Sequence, residues 1–144
     1  MATSTTSQLS DHTETTTSEF SGISPSLKFV LANLKNFVQS PMFTKNYSVW
    51  HSQIIKICRA NGFDFFLDPN SYIPENIISN PDSTSSPNPT YAKWILTDQN
   101  LAVAIFSTIS APILPYVLHL ESTSSIWTTL ETHFQSTNRY RVIQ

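Results

Sequence analysis

The residues that could do chemistry are few, and their spacing is poor for catalysis or metal binding. Cys58 and His51 are seven residues apart on one predicted helix, about 10.5 Å of rise and too far for a nucleophile and its base. We therefore interpret Cys58 as a small core residue. The other histidines, His12, His119 and His133, add no metal-ligand spacing. The sequence predicts no catalytic residue and no metal site.

Asp98 is the one acidic residue that the pattern places on a strongly apolar helix face. Burial would raise the pKa of its carboxyl group, and such a group can act as an acid or a base. The sequence places no second carboxylate or histidine beside it. A hydrogen bond between packed helices, for example with a tryptophan indole N–H, is the simpler interpretation. A small enzyme is the alternative, and it requires Asp98 to line a cleft near another titratable group.

The composition also argues against several functions. The 144 residues include 8 Lys or Arg and 10 Asp or Glu, for a formal net charge of −2. A protein that neutralises about 6–10 phosphates would need nearly every one of these cations on one face, so strong RNA binding by this segment is not expected. Two glycines give little material for a phosphate-binding loop, and one cysteine excludes an internal disulfide. The apolar stretch 99–120 is interrupted by two prolines, so we predict buried helices there and no membrane span.

Amphipathic helices are the elements that would position these residues. We expect residues 1–25, rich in Ser and Thr, to form a disordered tail. Helices are predicted after Ser24-Pro25, over about 46–61, after Asn88-Pro89, in a short segment from Ser110, and from Thr123 or Ser124. An extended edge segment is the alternative for the first of these. The Pro-, Ser- and Asn-rich loop 69–88 is expected to be mobile or, alternatively, to bind a partner. The fold class is therefore all-α, a small bundle of about five helices.

Three tryptophans are the predicted core anchors of three of these helices, namely Trp50, Trp94 and Trp127. A further apolar pattern begins at Tyr140 and stops with the sequence at Gln144. We expect this to be the first turn of another helix, and hence that the chain is a fragment or the product of a truncated open reading frame.

Short motifs follow one another along the chain in a definite order. They are Asn46-Tyr47-Ser48-Val49-Trp50, Asn61-Gly62-Phe63, Phe66-Leu67-Asp68, Asn88-Pro89-Thr90-Tyr91 with Trp94 and Asp98, the segment 109–117, Ser125-Ile126-Trp127 with Leu130, and the segment 136–144. Over roughly residues 29–144 this series resembles the Gag polypeptide of plant copia-type LTR retrotransposons. The residues that the resemblance marks as core or family positions are Asn46, Tyr47, Trp50, Tyr91, Trp94, Asp98, Trp127 and Leu130.

The resemblance implies a retroviral-capsid-like helical domain over 26–144, C-terminally truncated, with the disordered tail before it. Such a domain self-associates into a particle shell and is not an enzyme. It implies a homo-oligomer in the cytoplasm, with no cofactor, membrane or small-molecule substrate. Element RNA is expected to bind only through missing downstream regions, because the chain lacks the Cys-x2-Cys-x4-His-x4-Cys knuckle. An RNA-binding module and a domesticated host adaptor that holds peptides with loop 69–88 are the alternatives.

Overall fold

Four α-helices carry most of the described chain, and a small two-stranded sheet accompanies them. The computed structural model describes residues 22–142, with side chains as far as residue 135. The elements are α1 (Pro25–Phe37), α2 (Tyr47–Ala60), β1 (Ile77–Ser79), β2 (Ser85–Pro87), α3 (Pro89–Phe106) and α4 (Thr123–Val142), with 3₁₀ turns at Asp64–Leu67 and Leu114–Tyr116. The prediction of a mainly helical fold is confirmed. Residues 1–21 of the predicted tail, and residues 143–144, lie outside the described residues.

Both of the predicted cap-and-proline signals start helices. The Ser24 hydroxyl accepts a backbone N–H of the first turn of α1 at 3.2 Å, and Pro25 occupies a position where its missing N–H is harmless. The Asn88 carboxamide oxygen does the same for α3 at 3.1 Å, ahead of Pro89. The extended alternative for the first segment is therefore wrong. Beyond the end of α2, Gly62 has a φ of +76°, which glycine adopts without strain.

The structure corrects the all-α prediction inside loop 69–88, where β1 and β2 form an antiparallel hairpin. Ile77 lies opposite Pro87, and Ile78 lies opposite Ser86. A polar turn closes the hairpin: the N–H of Asn80 donates to the carbonyl of Thr84 at 2.8 Å. The segment expected to be mobile or to bind a partner thus contains regular backbone pairing over two short strands.

Two helix predictions near the C-terminus are also wrong. The short fourth helix expected from Ser110 is reduced to the 3₁₀ turn Leu114–Tyr116, because Pro115 has no N–H to donate to the carbonyl four residues before it. No new helix begins near Tyr140, since the backbone of α4 continues without a break to Val142. The described bundle therefore has four α-helices where about five were predicted.

Helices α1 and α3 lie side by side and run in the same direction. Gly22, just before α1, is close enough to Leu96 in α3 that an added Cβ would lie 2.7 Å from its Cδ2. Met42, after α1, forms a parallel bridge with Ile109, just beyond α3. The N–H of Met42 donates to the carbonyl of Thr108 at 2.8 Å, and its carbonyl accepts the Ser110 N–H at 3.1 Å. The connection between α1 and α2 is thereby attached to the end of α3.

One buried tryptophan connects this joint to the rest of the core. The side chain of Trp50 in α2 is only 1% exposed, and its Nε1–H donates to the Thr108 hydroxyl at 2.9 Å. The Thr108 hydroxyl in turn donates to the carbonyl of Ile105 at 2.7 Å. Since a buried indole N–H without a partner would cost free energy, this hydrogen bond makes the packing of α2 on α3 specific. Among the helices that the structure describes, none combines the length and the hydropathy that a membrane crossing requires.

The substitution Trp50→Ala is expected to lower the free energy of unfolding by about 3–5 kcal/mol, because it leaves a large cavity and removes the indole N–H that the Thr108 hydroxyl accepts. Val49→Ala is the matched control: it alters the neighbouring residue of α2, whose side chain is 57% exposed, and should change the stability by less than about 0.5 kcal/mol. Urea denaturation followed by circular dichroism measures both. Equal stability of the two variants would contradict the packing described here.

Candidate functional site

The motif residues at the start of α2 and within α4 form one aromatic cluster. The rings of Tyr47 and Trp50 have centroids 5.9 Å apart, and Trp50 lies 5.4 Å from Trp127 in α4. Tyr47 also stacks on Phe134 at 5.5 Å. All four of these residues are buried, as is Leu130 on the same helix. This cluster holds α4 against α2, so these motif positions act in packing.

Asn46 organises the turn that precedes α2. Its side-chain oxygen accepts the N–H of Phe43 at 2.8 Å, while its amide group donates to the Ser40 hydroxyl at 2.9 Å and to the Pro41 carbonyl at 3.0 Å. Its side chain makes no capping bond to α2 itself. An asparagine is suited to this position because it offers a donor and an acceptor on one short side chain. The motif asparagine therefore fixes the direction in which α2 leaves the joint with α3.

Tyr91 and Trp94 lie on the first turns of α3, at the edge of the core. Trp94 packs on Phe66 of the first 3₁₀ turn with ring centroids 5.5 Å apart, and Tyr91 stacks on Trp94 at 6.3 Å. Both side chains are only partly buried. Trp94 is thus a less complete core anchor than Trp50 or Trp127. Its contact with Phe66 attaches the segment after α2 to the start of α3.

Asp98 joins α3 to the N-terminus of α4. Its Oδ1 accepts the backbone N–H of Thr123 at 3.1 Å, and the Thr123 hydroxyl donates back to the Asp98 carbonyl at 2.8 Å. The carboxylate is 2% exposed, and burial raises the pKa of Asp98, although the two hydrogen bonds from Thr123 oppose that rise. The predicted hydrogen bond between packed helices is present. Its partner is the backbone of Thr123, and no tryptophan indole takes part.

Two residues of α2 with reactive side chains also take part in packing, namely His51 and Cys58. The His51 ring stacks on Trp127 at 4.6 Å, and its Nε2 lies 3.0 Å from Oε1 of Glu131. Cys58 is buried, and desolvation raises its pKa to about 12, so the thiolate is scarce near neutral pH. Within residues 22–135, no group of His, Cys, Asp and Glu side chains is placed to hold a metal ion.

An open groove of about 340 Å³ lies beside the aromatic cluster. Its charged lining residues are Arg59, Asp64, Asp68 and Glu131, and Trp127 forms part of its wall. The alternative of a small enzyme requires Asp98 to line a cleft near another titratable group. Asp98 does not line this groove.

Large apolar side chains are exposed to solvent on α1, on the hairpin segment and elsewhere, including Val103, Tyr116 and Leu118. On α1, Phe29 and Phe37 are 48% and 50% exposed, and their ring centroids are 6.3 Å apart. We call this pair the α1 surface. A second group, the hairpin surface, precedes and includes β1; its exposed residues are Tyr72, Ile73, Ile77 and Ile78. Contiguous apolar patches larger than a few hundred Å² mark interaction sites, and sequence periodicity had identified neither group.

Comparisons with protein-family models, with curated proteins and with solved structures found no match for this chain. The class that the structure defines is therefore a mainly helical four-helix unit with a small hairpin.

The substitution Asp98→Asn tests the buried carboxyl group by its pH dependence. Because the native pKa is raised, the native state binds more protons than the unfolded state between the two pKa values. Asp98 therefore contributes most to the stability of the fold when it is protonated, below about pH 4. This contribution is lost as the pH rises through the native pKa. The stability of the Asn variant relative to wild type should therefore increase from pH 4 to pH 8, by about 1.4 kcal/mol for each unit of the shift.

Guanidinium denaturation at a series of pH values measures this difference between Asp98→Asn and wild type. Asp98→Ala is the companion variant, since it loses the acceptor for the Thr123 N–H and should cost about 1–3 kcal/mol. A stability difference between the Asn variant and wild type that is constant over the pH range would refute the raised pKa of Asp98.

Cys58 should resist thiol reagents as long as the protein is folded. Its sulfur is buried, and its pKa of about 12 leaves almost no thiolate at pH 8. The reaction with an aromatic disulfide reagent should proceed only as fast as the chain unfolds, and it should become immediate in denaturant. Fast labelling of the native protein would show that Cys58 is accessible.

Proposed function

We propose that this chain is a structural self-association domain of a Gag-like protein of the plant copia-type LTR retrotransposon class. In this proposal the domain is retroviral-capsid-like, acts in the cytoplasm as part of a longer polyprotein, and has no catalytic role. Element RNA would be bound by downstream regions of the polyprotein. The observation that carries the proposal is the exposure of two groups of large apolar side chains on a small domain of low charge.

The buried residues of the motifs support this proposal. Tyr47, Trp50, Trp127 and Leu130 are buried in the contact between α2 and α4, and Asp98 is used to bind α4 to α3. A family whose role is structural would place its recurrent residues in such joints, because the shape of the unit is what assembly requires. The residues capable of chemistry, Asp98, His51 and Cys58, are each engaged in the fold.

The exposed residues support the assembly role from outside the core. The exposed half of a side chain such as Phe29 or Phe37 adds nothing to the stability of a lone domain, whereas a contact with another protein surface would remove it from water. Repeated contacts between identical chains form closed rings or open lattices, according to whether the rotation closes. Both outcomes are compatible with a unit that builds a shell.

Self-association can be measured on the purified full chain. Sedimentation velocity and light scattering should give a mass that rises above 16.2 kDa with concentration, between the micromolar and millimolar range, and that returns to the monomer value on dilution. Reversibility separates assembly from aggregation, because unfolded aggregates do not redissolve and lose their helical circular dichroism. A mass that stays at the monomer value throughout would exclude the proposal.

An RNA-binding module is the second candidate, and one observation favours it. Residues 22–63 carry three lysines before α2, two cations on α2, and no acidic residue. Binding of labelled RNA by the full chain that weakens as salt rises would support this function. Absence of binding at low salt would dismiss it.

A further inference from the structure

We propose that the free edge of β1 binds an extended peptide segment of a partner protein, which pairs with β1 as a third strand and carries basic side chains near its ends. This inference goes beyond the proposed function and does not rest on self-association. It rests on the backbone geometry of the hairpin and on the charges beside it.

The hydrogen bonds of the hairpin show which side of β1 faces β2. The N–H of Asn80 donates to the carbonyl of Thr84 at 2.8 Å, and the N–H of Asn88 donates to the carbonyl of Asn76 at 2.9 Å. Ile78 lies midway between Asn76 and Asn80 in the same register. Because bonded and non-bonded pairs alternate along an antiparallel ladder, the backbone groups of the even-numbered residues from 76 to 80 face β2.

The odd-numbered residues of β1 therefore present their backbone groups on the opposite side. Ile77 and Ser79 each place an N–H and a carbonyl there, and the part of the chain that the structure describes supplies no other hydrogen-bond partner for these groups. All three residues of β1 are exposed. An unpaired edge of this kind is a template on which an extended segment can add as a further strand.

The outer edge of β2 is protected, in contrast to that of β1. Pro87 lies opposite Ile77, at a position where the backbone N–H would point away from β1. A proline there removes a donor from the edge, which is one way in which proteins prevent strands from adding. The three residues of β1, by comparison, include no proline and no lysine. The hairpin thus has one protected edge and one open edge, and we expect the third strand on β1.

The side chains of β1 would contribute to such a contact on both faces of the sheet. Ile77 and Ile78 point to opposite faces, and they are 56% and 39% exposed. A third strand with β-branched side chains would cover part of each. Pro74 and Pro81 lie just outside the strand and limit the pairing to residues 75–80. The bound segment is therefore short and needs further contacts at its ends.

Acidic side chains lie at both ends of β1. Glu75 precedes the strand and Asp82 follows it, and residues 64–92 contain no Lys, Arg or His. Hydrogen bonds from the hydroxyl and the N–H of Thr84 hold the pKa of Asp82 below its usual range, so this acid is ionised at neutral pH. A strand with lysine or arginine near its ends would be attracted to this edge.

These two acids are available to a partner and oppose pairing of the edge with itself. Among the described side chains, the ion pair within 4.0 Å joins His51 and Glu131, so Glu75 and Asp82 have no cationic partner there. If β1 of a second copy paired with this edge, in either direction, acids of the two copies would approach one another. The charges therefore favour a basic segment of another protein over a second copy of this chain.

Proline substitutions on the two strands test which edge is used. Ser79 and Ser85 face each other in the hairpin, and the N–H of each points away from the other strand. Ser79→Pro removes a donor from the open edge. Ser85→Pro is the matched control, because it removes a donor from the edge that Pro87 already protects. Neither change removes a hydrogen bond between β1 and β2, and circular dichroism with thermal unfolding establishes that each full-length variant is folded.

The probe is a fluorescein-labelled synthetic peptide of alternating valine and threonine with a lysine at each end, and a second peptide has glutamate at each end. Fluorescence anisotropy should show that the lysine peptide binds wild type and Ser85→Pro equally. Its dissociation constant for Ser79→Pro should be about ten-fold higher, because a backbone hydrogen bond is lost. The glutamate peptide should bind wild type several-fold more weakly, and this difference should shrink as the salt concentration rises.

Amide hydrogen exchange of wild type, followed by nuclear magnetic resonance, locates the peptide without relying on any variant. Binding of the lysine peptide should slow the exchange of the N–H groups of Ile77 and Ser79 and leave that of Ser85 unchanged. This measurement remains decisive if Ser79→Pro disturbs the hairpin.

Several results would overturn the inference. They are no binding of the lysine peptide to wild type at millimolar concentration, equal binding to wild type and to a folded Ser79→Pro, protection of amides elsewhere than at Ile77 and Ser79, and equal or tighter binding of the glutamate peptide. Protection of these two amides without peptide, increasing with protein concentration, would assign the edge to a second copy of the chain.

Discussion

The fold depends on the hydrogen bonds that meet at Thr108. Its carbonyl accepts the N–H of Met42, its hydroxyl accepts the indole N–H of Trp50, and the same hydroxyl donates to the carbonyl of Ile105. These bonds join the segment after α1, the core of α2 and the end of α3. Because Trp50 also packs against Trp127 of α4, one buried threonine lies at the point where all four helices are coupled. A buried polar network of this kind is favourable only when every member has a partner, which restricts the helices to one arrangement.

The sequence contains enough local information to predict all four described α-helices and much of their buried faces. Ser24-Pro25 and Asn88-Pro89 mark helix starts by their own chemistry, and the apolar periodicity of α1, α2 and α3 gives their inward sides. The packing role of Asp98 was also predictable, since an isolated acid on an apolar stripe must find a hydrogen-bond donor. Its partner was not, because the N–H of Thr123 is supplied by the start of a helix 25 residues later.

The hairpin escaped prediction for physical reasons. Its strands have three residues each, too short for alternation, and the adjacent Ile77 and Ile78 are both exposed. Pro87 argues against a strand, although a short edge strand tolerates it because no neighbour needs its N–H. The polar turn at Asn80, Asp82 and Thr84 was the available signal. The exposed apolar groups are equally invisible to periodicity, because the pattern that identifies a core does not say which residues are left outside it.

The parallel arrangement of α1 and α3 has a consequence for synthesis of the chain. The apolar stripe of α1, including Leu27 and Leu34, is covered by a helix that ends at Phe106. At about 5–20 residues per second, the ribosome completes α3 roughly 3–14 seconds after α1. During that interval the stripe of the nascent chain faces water or chaperones, and docking then requires closure of a long loop, which slows folding relative to a bundle of sequential hairpins. The growing polypeptide is thus most vulnerable to misassembly before its third helix emerges.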